Sequence, residues 1–242
     1  METFLLSNNA GMPPLTAPTY GVSMLNAEQI ELLRKEIAPI VESSEIPESY
    51  GWPDQISMAL VDAVFSIQAQ YNPSHDFENP TGLLKRLREL KAAHPESIDD
   101  LASLVSLGSE ELRAIMGDGK TSQESKADCA ISAAENYLAL GVKSSSDFDS
   151  RDAKHKKAYV SVRGLGPITY EYFTMLLGTP GVKSDTLITR FVNRTLRLEG
   201  SEALSSARVR EALVETHKHF PDVPLNTFDN MIWRYESSRS SK

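Results

Sequence analysis

The stretch that decides the fold is AYVSVRGLGPITYEYFTMLLGTPGVKSDTLITRFVNR, residues 158–194. A helical segment there leads into the turn Gly164-Leu165-Gly166. Pro167 follows, and proline is common at the first position of a helix because its φ angle is already fixed there. After a loop, Asp185 is typical of the residue that caps a helix N-terminus. The pattern predicts a helix, a tight glycine turn, a second helix, a loop and a capped third helix.

The glycine turn also predicts an anion-binding feature. Gly164 and Gly166 allow the backbone to turn sharply and to approach a ligand closely. The first turn of the helix that Pro167 begins has unpaired N–H groups, which favour an anion such as a phosphate. Arg163 precedes the turn, and further basic residues lie upstream at Lys154, Lys156 and Lys157.

The rest of the chain shows helical periodicity, and no segment alternates strictly enough to predict a strand. Asn26 with Gln29 forms a capping-box pattern at the start of one helix. Thr121 with Glu124 predicts the start of a long helix that Gly141 ends. About ten or eleven short helices are expected, so the fold class is all-α.

Composition excludes several classes of protein. The 242 residues are 40% hydrophobic with a net charge of −8, which excludes disorder along the whole chain. The sequence contains no run of 18 or more apolar residues, so no membrane span is predicted. The single cysteine, Cys129, cannot form an intrachain disulfide, a structural zinc site or a cysteine-ligated iron–sulfur cluster. The N-terminus lacks a secretory signal pattern, so a cytoplasmic protein is expected.

These motifs resemble a known family. Residues 162–169, VRGLGPIT, are similar to the pattern L-P-G-V-G-x-K-T, and residues 184–191, SDTLITRF, to V-D-T-H-I-x-R-V. Residues 64–70, VFSIQAQ, are similar to an upstream stretch of the type L-L-S-x-Q-x-T. These are signatures of the helix-hairpin-helix (HhH-GPD) superfamily of DNA glycosylases, to which endonuclease III belongs.

The resemblance implies two helical subdomains with a cleft between them. Residues 50–180 would form the central subdomain, which ends in the helix-hairpin-helix motif. Residues 25–49 and 181–242 would together form the other, after an irregular arm over residues 1–24. Asp185 would lie at the cleft.

The resemblance also implies a monofunctional DNA glycosylase that flips a damaged or modified base out of the DNA and hydrolyses its N-glycosidic bond. The Asp185 carboxylate would stabilise positive charge on the sugar, and water would be the nucleophile. Ile168 stands where glycosylase-lyases of the family have a lysine, so no lyase step is expected through that position. The cysteines that bind an iron–sulfur cluster in the family are also absent.

Three further sets of residues are expected to contribute. DNA contacts are expected from Gln68, which would fill the gap left by the flipped base, and from Arg163, Gly164, Leu165, Gly166, Thr169 and Arg190. The candidates for the base pocket are Trp52, Tyr71, Tyr170, Phe173 and Trp233. The carbonyl groups of Val160, Val162 and Leu165 match positions that bind a monovalent cation, Na⁺ or K⁺, in the family; no other cofactor is expected. The expected partner is DNA, and the protein is expected to be a monomer with no membrane association.

Two other functions fit the same residues. A non-catalytic helix-hairpin-helix protein would bind DNA without turnover, and Asp185 would then be an ordinary helix cap. An all-α interaction module would bind no nucleic acid. The sequence does not name the base, and repair fits it as well as removal of modified bases from foreign DNA in antiviral defence.

Overall fold

The computed structural model describes residues 25–44, 51–69 and 82–240, and these residues are mostly helical. The α-helices within these residues are α1 (Ala27–Ser43), α2 (Ile56–Phe65), α3 (Gly82–Ala93), α4 (Leu101–Met116), α5 (Lys126–Ala139), α6 (Ala153–Val160), α7 (Pro167–Leu176), α8 (Thr186–Leu196), α9 (Ser206–His217) and α10 (Leu225–Ser240). Two strands of two residues, β1 (Lys120–Thr121) and β2 (Glu124–Ser125), pair antiparallel. The all-α prediction is confirmed.

Helices α2–α7 pack around one hydrophobic cluster, whose buried members run from Ile56 to Leu176. Helix α2 lies at its centre, since all ten of its residues are buried. A short helix with no solvent-facing stripe must be covered on every side. Helices α3, α4, α5 and α7 provide this cover.

A second hydrophobic cluster joins the two ends of the described chain. Helix α1 buries one stripe at helical spacing, Ile30, Leu33, Ile37 and Ile40. This stripe packs on α8, α9 and α10, around residues such as Phe191 and Phe228. The Asn26 capping box at the start of α1 is present as predicted. The two clusters lie within the two ranges expected for the subdomains.

The segment 177–184 crosses from the first cluster to the second and is held by buried polar contacts. Asn226, on α10, donates to the carbonyl groups of Met175 (3.0 Å) and Thr179 (3.1 Å) and accepts from the N–H of Gly181 (2.7 Å). Arg210, on α9, donates to the Val182 carbonyl (3.3 Å). It also forms an ion pair with Glu171 on α7. These contacts fix the segment that leads into α8.

The predicted start of α5 is wrong. Thr121 and Glu124 pair across the β1–β2 hairpin, and Ser125 caps the helix instead. The two turn residues, Ser122 and Gln123, have φ angles of 46° and 73°. Such turns normally carry Asn or Gly, so the sequence held no signal for this hairpin.

Candidate active site

Asp185 caps α8 as predicted. Its Oδ1 accepts from the N–H groups of Leu187 (2.9 Å) and Ile188 (3.0 Å). The two donors and the helix dipole favour a negative charge at this position. Since both donors reach Oδ1, Oδ2 has no hydrogen-bond partner among the described residues. It is therefore free to act on a ligand.

A cavity of about 570 Å³ opens beside Asp185. This volume is in the usual range of small-molecule pockets. Its lining comes from α2, α3, α7, α10 and the segment before α8. The lining residues used below are Trp52, Asp62, Gln68, Tyr172, Lys183, Asp185, Asp229 and Trp233. The cavity thus combines aromatic rings with ionisable groups contributed by both clusters.

Two further aspartates line this cavity. Asp62, on α2, accepts a hydrogen bond from Trp52 Nε1 (2.8 Å) and thereby orients that ring. Asp229, on α10, is only 4% exposed, and its Oδ1 has no hydrogen-bond partner among the described residues. Burial raises the pKa of Asp229 well above its usual value of 3.8, and the nearby charge of Asp185 adds to this effect. The Lys183 N–H and the charges of Lys183 and Arg210 act in the opposite direction and lower the pKa of Asp229.

Lys183 provides a positive group in the same cavity. Its Nζ lies 3.6 Å from the centroid of the Tyr172 ring, a cation–π geometry. Burial lowers the pKa of Lys183, while the charges of Asp185, Asp62 and Asp229 act in the opposite direction.

The helix-hairpin-helix turn is closed by its own hydrogen bonds. The N–H of Leu165 donates to the Val162 carbonyl (3.0 Å), and that of Gly166 donates to Thr169 Oγ1 (3.0 Å). Leu165 is also buried. The DNA contacts of Leu165 and Gly166 remain predictions, although the Gly166 N–H already has a partner within the turn. The N–H of Gly164 has no partner among the described residues, so it alone of these three amides is left for a phosphate.

Gly164 is required by both its conformation and its surroundings. Its φ is 92°, and a Cβ there would lie 2.8 Å from Thr121 Cγ2. The Gly164 carbonyl accepts from Thr121 Oγ1 (3.0 Å). The unforeseen β1–β2 hairpin thus supports the predicted turn.

The predicted basic contacts differ in their surroundings. The Arg163 side chain is 71% exposed beside the turn and forms an ion pair with Glu124 (3.1 Å). Arg190 donates from Nε to the buried Glu236 (2.8 Å), which ties α8 to α10. The DNA contacts of Arg163, Arg190 and Thr169 remain predictions.

Gln68 lies at the rim of the cavity, exposed and just after α2. Its φ of 51° is left-handed, a conformation that non-glycine residues rarely adopt. The buried Lys126 holds this turn, because its Nζ donates to the carbonyl groups of Phe65 and Ile67. A strained, firmly held and exposed side chain is suited to a wedge.

The aromatic candidates separate into two groups. Trp52 and Trp233 line the cavity. Tyr170 and Phe173 do not: both are buried in the first cluster, where Phe173 stacks on Tyr159 and the Tyr170 hydroxyl donates to the Ser150 carbonyl (3.1 Å). Their assignment to the base pocket is wrong. Tyr71 lies outside the described residues.

Sequence reasoning missed five charged residues of the cavity, Asp62, Arg88, Lys91, Lys183 and Asp229. A signal existed for two of them. Asp62 is the single charged residue in the apolar helix ISMALVDAVF, and Asp229 lies on α10 between Phe228 and Met231. An acidic residue on an apolar face is rarely there without a partner or a function. Lys183 carries no such signal.

The carbonyl site for a cation fits only in part. The Val162 carbonyl already accepts the Leu165 N–H, although a carbonyl oxygen can accept a second partner. The Na⁺ or K⁺ ion remains a prediction. Within the described residues, no group of three or more His, Cys, Asp or Glu side chains could hold a metal ion. None of the described helices has the length and apolarity needed to cross a membrane.

Comparison with solved structures identifies the class of fold. A 3-methyladenine DNA glycosylase of H. pylori (MagIII), solved with 1,N6-ethenoadenine, matches with a TM-score of 0.61 and 15% identity, over 88% of this chain and 98% of that one. MBOgg1, solved with a low-affinity DNA ligand, matches with a TM-score of 0.52 and 12% identity, over 89% of this chain and 71% of that one. Endonuclease III, trapped as a covalent intermediate with DNA, matches with a TM-score of 0.52 and 15% identity, over 87% of this chain and 84% of that one. The chain has the helix-hairpin-helix DNA glycosylase fold.

The family is given by sequence. A family model described as a domain of unknown function (DUF8548) matches residues 31–237, and the chain belongs to this family. No curated protein sequence matches the chain.

Proposed function

We propose that this protein is a DNA glycosylase that flips a damaged or modified base into the cavity and releases it by hydrolysis. The observation that carries the proposal is Asp185. It is a helix-capping aspartate with one free oxygen, at the edge of a cavity lined by Trp52 and Trp233. The fold shared with known DNA glycosylases supports the same conclusion.

The rim of the cavity supports a role in binding bent and flipped DNA. A base inside a duplex must leave the stack to react. Gln68 would then fill the gap, with its strained turn fixed by Lys126. The Gly164 N–H and Arg163 would bind the phosphate backbone beside it.

The chemistry at Asp185 follows from charge. Breaking the N-glycosidic bond builds positive charge at C1′ of the sugar, and a fixed carboxylate stabilises it where it develops. Water then attacks C1′. The charge of the Asp185 carboxylate is stabilised before the substrate arrives, because two N–H groups donate to it and hold it in position.

We expect no lyase step. Ile168, at the position of the lyase lysine, is 44% exposed and has no amine. Lys183 does line the cavity, so borohydride trapping on abasic DNA is the measurement that checks monofunctionality. We expect no covalent complex; a complex that Lys183→Met abolishes would contradict this.

The proposal is tested by base release from a panel of DNAs. The panel would contain alkylated, oxidised, deaminated and etheno-modified bases, together with hypermodified viral DNA. Abasic sites would be detected by alkaline cleavage for the wild type, Asp185→Asn and Asp100→Asn. Asp100 is a matched control, since it caps α4 through the N–H of Ala102 and does not line the cavity. Asparagine caps helices as well as aspartate, so both variants should fold.

We expect base release by the wild type and Asp100→Asn, with a loss of about 1,000-fold or more in Asp185→Asn and retained DNA binding. If no DNA yields abasic sites while all three proteins bind DNA with steep salt dependence, the protein is a non-catalytic DNA binder. The reactive DNA in the panel would also distinguish repair from removal of modified bases in foreign DNA.

A further inference from the structure

Asp229 is buried in the cavity wall without a hydrogen-bond partner for one of its oxygens. It is 4% exposed, and its Oδ1 is unpaired among the described residues. A buried polar atom with no partner is unfavourable, and native proteins tolerate such atoms mainly where they serve a function. The Asp185 cap, by contrast, has its hydrogen bonds satisfied at Oδ1.

The position of Asp229 on α10 points to a base rather than a sugar. Asp229 and Trp233 are four residues apart on one helix, so they lie on the same face, and both line the cavity. A base that stacks on Trp233 would present its edge toward Asp229. Asp185, at the start of α8, would be left facing the sugar.

The environment of Asp229 favours the protonated form that a proton donor needs. Burial and the charge of Asp185 both raise the pKa of Asp229. Lys183 and Arg210 oppose this without reversing it. A carboxyl group that its surroundings keep protonated can act as a general acid.

We infer that Asp229 is the general acid of the reaction, which protonates the departing base, and that the substrate is therefore a neutral modified base. This inference rests on the proposed glycosylase function. A neutral base is a poor leaving group until it gains a proton. A base that already carries a positive charge, such as 7-methylguanine, needs no acid.

The step balances as follows. The bond between C1′ and the base nitrogen breaks, and its electron pair goes to the base. The Asp229 proton passes to an acceptor atom on the base edge. Water forms the new C1′–O bond and loses a proton to Asp185. One proton then returns from Asp185 to Asp229 through solvent, which restores both groups.

The test compares neutral and cationic bases in Asp229→Asn. Duplexes would carry 1,N6-ethenoadenine, hypoxanthine or another neutral base released in the panel above, or the cationic 7-methylguanine. Asp222→Asn, at an exposed site, is the control. We expect Asp229→Asn to lose about 100-fold or more in release of the neutral bases and less than about threefold for 7-methylguanine where that base is released. Asp222→Asn should match the wild type.

A second measurement needs no variant. For the wild type, release of a neutral base should fall as the pH rises through the pKa of Asp229, because the acid must be protonated. Release of 7-methylguanine should lack this alkaline loss. Equal activity of Asp229→Asn and wild type on a neutral base, or release of cationic bases only, would overturn the inference and leave the glycosylase proposal standing. If the wild type releases no base at all, the proposed function itself fails.

Discussion

The hairpin at residues 162–169 and the cavity beside Asp185 are built in different ways. In the hairpin, Leu165 bonds back to Val162, and Gly166 bonds to Thr169, so each contact joins residues three positions apart. In the cavity, Asp62, Asp185 and Asp229 come from α2, the start of α8 and α10. The hairpin is therefore a local motif that a short sequence encodes. The cavity depends on how the two hydrophobic clusters are joined.

The largest effect is expected from Asn226→Ala. The Asn226 amide makes two hydrogen bonds to the segment that joins the clusters and a third to the end of α7. Their loss removes the partners of the Gly181 N–H and the Thr179 carbonyl and should lower the free energy of unfolding by about 3 kcal/mol. Because the segment leads to Asp185, base release per folded molecule should also fall. Chemical denaturation and the base-release assay would measure the two effects.

Asn193→Ala is the matched control for that variant. The Asn193 side chain also makes three hydrogen bonds, to Thr189 and Leu204, but within the second cluster and away from the cavity. We expect a similar loss of stability with unchanged base release at temperatures where the protein is folded. If the two variants affect release equally, the joining segment does not position Asp185.

The difference between the local hairpin and the cavity assembled from distant segments also explains which features the sequence could predict. The turn around Gly164 and the Asp185 cap were predictable because their geometry is set by neighbours in the chain. Tyr170 and Phe173 were assigned to the pocket wrongly, since helical spacing does not tell a core face from a cavity face. Asp229 carried a signal as an acidic residue among apolar neighbours, but neither it nor Lys183 could be placed in the cavity, because only the packing of α10 against the segment before α8 brings them together.

A smaller effect is expected from Gly164→Ala, which tests the hairpin. The new Cβ would meet Thr121 Cγ2 at 2.8 Å, and the φ of 92° would also be strained. We expect a loss of about 2–3 kcal/mol in stability and weaker, still salt-sensitive DNA binding, measured by fluorescence anisotropy.

Gly141→Ala separates strain from crowding. Gly141 has a φ of 85°, but a Cβ there would meet no atom within 4 Å. Gly141→Ala should lower the stability by about 1 kcal/mol and leave DNA binding unchanged. Equal losses in the two variants would show that the contact with Thr121 contributes nothing.

The last prediction concerns the dependence of stability on pH at Asp229. Its folded pKa lies above 3.8, so the folded protein holds a proton that the unfolded chain has lost, and stability falls as the pH rises through this window. Asp229→Asn cannot ionise. We therefore expect its stability relative to the wild type to increase between pH 4 and pH 7, measured by thermal unfolding. A constant difference across this range would show that Asp229 is not buried as a neutral acid.

The most direct test of the account is whether Asp185 stabilises positive charge on the sugar. We would measure the affinity of DNA containing a cationic pyrrolidine abasic analogue and of DNA containing a neutral tetrahydrofuran analogue, for the wild type and for Asp185→Asn. The account predicts that the wild type prefers the cationic analogue by about 100-fold or more, since a site built for a transition state binds its mimic tightly. Asp185→Asn should lose that preference. Equal affinity of the wild type for the two analogues would contradict the account.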